Sequence, residues 1–131
     1  MLRAIHTAID RGEVLDRLTG LEEMIHLTSK REDRELRSRL IVLMAHILRW
    51  KTQSPGRKSW RHTILTQRQE IAYLRRDAPR YTQARILEDF WEEALSEAIR
   101  RITDEMDQSP AVDTLTWDEV FEVEYDEHLS G

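Results

Sequence analysis

The stretch LRSRLIVLMAHILRW, residues 36–50, has the strongest pattern in the chain. Its large apolar residues recur at alternating spacings of four and three, which places them on one stripe of an α-helix. That stripe consists of Leu36, Leu40, Leu43, Ile47 and Trp50. The break QSPG at 53–56 and a second striped segment at 60–74 predict an antiparallel helical pair. We expect the second helix to begin at Pro55 or with Ser59 as its N-cap.

Two shorter helices are predicted before this pair. Residues 2–11 should form a helix that ends near Gly12. A second helix should begin around Glu13 or Asp16, run to about Leu27 and bury apolar side chains in the common core. The candidates for burial are Val14, Leu15, Leu18, Leu21 and Ile25. Ser29 followed by Glu32 matches the capping-box pattern, so the central helix is expected to begin there.

The segments after the pair predict one long and one short helix. Pro79 ends the second helix of the pair, since the residue before a proline avoids helical geometry. A helix is predicted over 80–106, and Thr116 with Glu119 repeats the capping-box pattern before a short last helix. The acidic end from Glu124 onward is expected to be mobile. The fold class predicted is an all-α up-down bundle.

Length and composition limit the class of protein. At 131 residues the chain is expected to form one domain, with its core in 13–106 and an acidic C-terminal segment in 107–131. The absence of cysteine excludes disulfides, Cys-ligated zinc and thiol chemistry. We see neither a signal peptide nor an apolar run that could span a bilayer, so no membrane partner and a cytoplasmic location are expected.

Charge is distributed unevenly along the chain, whose net charge is -5. Residues 49–85 contain ten Lys or Arg and two acidic residues, whereas residues 104–131 contain ten Asp or Glu and no Lys or Arg. In one interpretation the acidic segment lies against the basic one and neutralises it. In the other, the basic segment binds an anionic partner and the acidic segment competes. The acidic net charge favours the first interpretation.

A set of residues along the helical pair resembles a bacterial family known as domain of unknown function twenty-nine. The matching residues are Leu36, Ser38, Arg39, Leu40, His46, Ile47, Leu48, Arg49, Trp50, Pro55, Ser59, Trp60, Thr63, Ile64, Gln67, Arg68, Ile71 and Leu74. The resemblance implies a small all-helical bacterial protein of the cytoplasm, and it implies no activity. This chain is shorter at its N-terminus than typical members, and Glu22 and Glu23 match the family's acidic pair only loosely.

The end of the helical pair is the first candidate binding site. Cations and two indoles are close together in sequence there: Arg49, Trp50, Lys51, Arg57, Lys58, Trp60 and Arg61. Such a set could stack bases and bind phosphates. Alternatively, both tryptophans fill the core and the cations are solvated or paired with acidic residues, and their place on the apolar stripes favours this alternative.

Other polar residues are weaker candidates. His46 borders the apolar stripe, and Gln67 beside Arg68 is expected to fix the register between helices. Glu23 and His26 have the Glu-x-x-His spacing of metal-binding bundles, but no second such motif occurs. Ser59, three residues before His62, could suggest a nucleophile, although an N-cap explains it without chemistry.

These patterns favour a non-catalytic protein-interaction or oligomerisation module, with the chain itself or another protein as partner and a homodimer as the expected state. Apolar residues beyond the main stripes, such as Tyr73, Ile86 and Phe90, motivate this hypothesis. The alternative is a nucleic-acid-binding or regulatory protein that uses the basic segment 49–61. A third hypothesis is a metal-dependent hydrolase that uses His46, His26, Glu22 and Glu23. No cofactor is expected.

Overall fold

A computed structural model describes residues 2–52 and 57–126 of the chain, with side chains described for residues 17–52 and 59–126. Its helices are α1 (Leu2–Thr52), α2 (Arg57–Asp77), α3 (Gln83–Asp89), α4 (Trp91–Met106) and α5 (Trp117–Phe121). No strand occurs among the described residues, and the predicted all-α class is confirmed. By its contacts the chain divides into two compact units, Met1–Arg34 and Glu35–Gly131.

Helix α1 is much longer than predicted. It continues through Gly12 and Ser29, so the predicted break and the predicted capping-box start are both wrong. No proline interrupts residues 2–52, and one glycine inside a helix costs only about 1 kcal/mol relative to alanine. Ser29 and Glu32 are three residues apart, a spacing that fits a helix interior as well as a helix start.

The unit Glu35–Gly131 contains the core of the molecule. The five residues of the predicted central stripe, from Leu36 to Trp50, are all at most 5 % exposed. Ile41, Met44 and Leu48 are buried as well, so this part of α1 is covered on a wide face. Helix α2 adds Ile64 and Ile71, and the later segments add Tyr81, Ile86, Phe90, Trp91, Ala94, Ala98, Ile102, Leu115, Val120 and Tyr125.

The helix predicted over 80–106 is two helices, separated at Phe90. The backbone of Phe90 leaves helical geometry, with φ -125° and ψ -28°. Its ring is buried and meets the ring of Tyr81 edge-on, with 6.0 Å between centroids. No glycine or proline marks this break, since neither residue occurs between 80 and 106. Ile86 and Phe90, expected outside the main stripe, are therefore core residues.

The C-terminal segment is part of the core. The predicted capping box is confirmed: the Thr116 hydroxyl accepts from the Glu119 amide, and the Glu119 carboxylate accepts from the Thr116 amide. Val120 is fully buried, and Tyr125 packs edge-on against Trp50 with 5.6 Å between ring centroids. Tyr125 therefore packs against the core, although a mobile end was predicted from Glu124 onward, and residues 127–131 lie outside the described residues.

Candidate association surface

The N-terminal unit has an exposed apolar face on α1. Its side chains are 49–65 % exposed, although Leu18, Leu21 and Ile25 were expected in the core. This face, called the apolar face below, consists of Leu18, Leu21, Met24, Ile25 and Leu27. At 100° per residue these positions cover about half of the helix circumference, and Glu23 and His26 lie on the other half.

The apolar face is expensive to leave in water. Isolated helices shorter than about 12–15 residues are marginal in water, and most helical stability in proteins comes from packing an amphipathic face. Covering the exposed half of each of these side chains would contribute roughly 1 kcal/mol per residue. Contiguous apolar surface of this kind is typical of protein interaction sites. The face therefore has the chemistry of an association surface.

The predicted basic site contacts acidic residues of the segment 104–131 instead of standing free. Arg49 donates two hydrogen bonds to Glu105, from Nε at 2.7 Å and from Nη2 at 3.0 Å. Lys51 Nζ lies 2.5 Å from a carboxylate oxygen of Glu119, and this bond lowers the pKa of Glu119. Trp50, between them in sequence, is 5 % exposed. These contacts correspond to the first interpretation of the charge asymmetry, in which acidic residues lie against basic ones.

The other residues of the predicted basic site are not brought into one cluster by any contact in the described part of the chain. Trp60 is half-buried against the core, and Arg61 is exposed. The side chains of Arg57 and Lys58 lie outside the described residues. Because Trp50 is buried, the pair of indoles does not form a stacking platform.

His46 is held as a half-buried neutral imidazole. Its Nδ1 lies 2.8 Å from the carbonyl oxygen of Val42 and so donates to it, which leaves Nε2 to accept from Arg49 Nη1 at 3.2 Å. Burial is the main cause that lowers the pKa of His46, and the Arg49 charge lowers it further, against opposing effects of the Val42 hydrogen bond and Glu105. With both ring nitrogens occupied, His46 fits a structural role better than that of a general base.

Gln67 and Arg68 both make contacts between segments. Gln67 Oε1 accepts from Arg39 Nη1 at 3.2 Å, which joins α2 to α1. Arg68 donates from Nε to the Val120 carbonyl at 2.7 Å and from Nη2 to the Glu119 carbonyl at 3.2 Å. The guanidinium also lies 5.5 Å from the ring centroid of Tyr125. Arg68 thus holds the C-terminal segment, a role absent from the sequence pattern because backbone carbonyls are its partners.

Tyr125 completes this contact. Its hydroxyl donates to the Glu119 carbonyl at 2.6 Å. Burial, with a smaller contribution from the Glu119 charge, raises the pKa of Tyr125 to about 12, although the nearby Arg68 acts in the opposite direction. The phenol therefore stays protonated at neutral pH and keeps its hydrogen bond. Nothing in this arrangement resembles an acid–base pair for catalysis.

A shallow groove of about 270 Å³ lies between α1 and α2. It is lined by Glu35, Ser38, Arg39, Val42 and Gln67. The charge at its centre is already paired, because Arg39 Nε donates to Glu35 at 3.1 Å. The groove therefore offers a small polar surface without an activated nucleophile.

The remaining candidates for chemistry are dispersed. Glu23 and His26 are exposed, and no group of three or more His, Asp or Glu residues that could hold a metal ion occurs in the described part of the chain. Ser59 lies inside α2, so its prediction as an N-cap is wrong, and it is exposed like His62.

Most of the chain matches the model of a known protein family. The family model described as Domain of unknown function DUF29 matches residues 11–126. The chain belongs to the DUF29 family. The match extends from within α1 to the end of the described C-terminal segment, so it includes both the apolar face and the core. Searches of curated proteins and of solved structures gave no match to this DUF29 chain. Among the described residues, none of its helices combines the length and the apolar character that crossing a membrane requires.

Proposed function

We propose that this chain is a non-catalytic protein-association module whose contact surface lies within the apolar face of α1. The observation that carries the proposal is the exposure of five large apolar side chains on one half of a helix, from Leu18 to Leu27. A helix in water gains most of its stability by covering such a face. In this proposal the buried core lies in the unit Glu35–Gly131, and the contact surface lies in the unit Met1–Arg34.

The cationic side chains that were candidates for ligand binding support this proposal, because they contact other residues of the same chain. Arg49, Lys51 and Arg68, which were candidates for nucleic-acid or ligand binding, contact Glu105, Glu119 and the C-terminal backbone. An ion pair within the chain would have to be exchanged before these cations could bind phosphate. Nucleic-acid binding through them is therefore less favoured than protein association.

Site-specific photo-crosslinking in the cells that naturally make the protein tests the proposal. A photoreactive amino acid in place of Leu21 should give a covalent adduct with a protein, which mass spectrometry then identifies. The matched control carries the same amino acid in place of Glu23, on the other side of the same helix, and should give none. If both positions give no adduct, or both give the same adducts, the apolar face is not an association surface.

A further inference from the structure

Within this proposed association, we infer that the Leu18, Leu21 and Ile25 part of the apolar face pairs with the same part of a second copy of the chain, leaving Leu27 outside the contact, with the two helices parallel and in register. The inference rests on the proposed function and adds the identity and direction of the partner. It depends on the spacing of the apolar residues and on the charges beside them, both within the unit Met1–Arg34.

The spacing is compatible with a short two-helix contact of the coiled-coil type, one heptad long. Leu18, Leu21 and Ile25 are separated by three and then four residues, which are the spacings between a, d and the next a position of a heptad. A β-branched residue at a, such as Ile25, with leucine at d favours two parallel strands. Thr28 occupies the next d position, and Glu32 the a position after it. The row of facing a and d side chains, Leu18, Leu21, Ile25 and Thr28, is called the seam below. Like charges at facing a positions repel, so the seam ends near Thr28. The association should therefore be weak and concentration-dependent.

The flanking charges favour the parallel direction. With Leu18 at a, Arg17 is at g and Glu22 is at the following e position, and both side chains are exposed. In a parallel pair each g residue faces the e residue five positions later on the other helix. Arg17 of each copy would then meet Glu22 of the other, which gives two attractive pairs. In an antiparallel pair g faces g and e faces e, so these attractive pairs are lost.

The first test measures the seam by sedimentation velocity of the full chain across a wide concentration range. The wild-type protein should approach twice the monomer mass as concentration rises. Leu21→Ser should stay monomeric, whereas Leu27→Ser should associate like the wild type, because Leu27 lies about 140° from the centre of the seam. The two leucines are similarly exposed, at 51 % and 55 %, so they form a matched pair. Equal effects of both changes, or a mass above the dimer, would overturn the two-stranded seam.

The second test exchanges the charges. Arg17→Glu and Glu22→Arg should each raise the Kd about tenfold, because each replaces two attractive pairs by two repulsive ones. An equimolar mixture of the two variants should recover wild-type affinity, since the attractive pairs re-form between unlike chains. Failure of the mixture to recover would contradict the parallel arrangement.

The third test determines the relative direction of the two helices from disulfide formation between the two copies. The chain has no cysteine, so single replacements give unambiguous disulfides. Leu18→Cys and Ile25→Cys should each form a disulfide-linked dimer under mild oxidation, and Leu27→Cys should not. Positions 18 and 25 are about 10 Å apart along the helix, so both can meet their own copies only in a parallel, in-register pair. Linkage at one position alone would overturn the inference.

The outcomes separate the inference from the proposed function. An adduct between position 21 and a different protein, from a chain that sediments as a monomer, would sustain the association module and overturn self-association. Dimers that fail the disulfide and charge tests would sustain self-association and overturn the parallel register. A monomer without any adduct at position 21 would overturn both.

Discussion

The two halves of helix α1 contain similar residues with opposite surroundings. Leu36, Leu40 and Leu43 are fully buried, whereas Leu18 and Leu21 are about half exposed. Both halves have apolar residues at spacings of three and four, so helical periodicity alone does not separate them. The difference shows that an amphipathic pattern predicts a helix with a face to cover, while the partner that covers the face is decided elsewhere.

The largest expected effect compares one leucine from each half. Leu43→Ala should destabilise the folded chain by about 3 kcal/mol, since it removes a fully buried side chain and leaves a cavity. Leu21→Ala should change the stability of the dilute, monomeric protein by less than about 0.5 kcal/mol. Denaturant unfolding of both variants measures the difference. Similar losses for the two leucines would mean that the exposed half is covered within the monomer.

The second prediction concerns how the folded unit holds its C-terminal segment. Arg68→Ala should cost about 2 kcal/mol, because the part-buried carbonyls of Glu119 and Val120 lose charge-assisted hydrogen bonds. Arg61→Ala, an exposed arginine on the same helix, is the matched control and should cost less than about 0.5 kcal/mol. Unfolding free energies measure both.

Hydrogen exchange locates the Arg68 effect within the chain. Amides of residues 116–125 should lose protection in Arg68→Ala, while those of the buried half of α1 keep theirs. Uniform loss of protection across the unit would contradict a local role for Arg68.

The third prediction addresses the exposed half directly. Gly20 lies inside α1, and a Cβ atom added there would meet nothing within 4 Å. Gly20→Ala should therefore stabilise the helix by about 1 kcal/mol through helix propensity alone. Amide exchange over residues 17–34 should slow in the variant, with residues of the core unchanged. Unchanged exchange in the exposed half would mean that its stability is set by contacts rather than by propensity.

The features predicted correctly from the sequence are those with local sequence signals. The stripe from Leu36 to Trp50, the end of α2 at Asp77 and the capping box at Thr116 were all predicted correctly, because periodicity, proline and side-chain caps are local signals. The break at Phe90 has no local signal, since neither glycine nor proline occurs between residues 80 and 106.

The sites were harder to predict than the helices. Arg68 binds backbone carbonyls some fifty residues later in the chain, and no residue type marks such a partner. The apolar face was visible in the sequence as a stripe containing Leu18 and Ile25, but it was assigned to the core. A stripe indicates that a face needs covering and gives no information on whether the cover comes from the same chain.

The smallest expected effect is a pH dependence of the unfolding free energy that comes from His46, in the buried half of α1. The pKa of His46 is lowered in the folded state, below its ordinary value of 6.5. Below about pH 6.5 the unfolded chain therefore binds more protons at this residue than the folded chain does. The stability that His46 contributes is complete above that pH and falls as the pH drops toward the lowered folded pKa.

His46→Asn should lose stability less steeply over this range, since the Asn amide can still donate to the Val42 carbonyl and does not titrate. Urea unfolding at several pH values measures both slopes, and subtracting them removes the contribution of the carboxylates, which the two proteins share. His26→Asn, in the exposed half of the same helix, is the matched control. A loss of slope in this control as large as in His46→Asn would show that the acid sensitivity does not come from the buried imidazole.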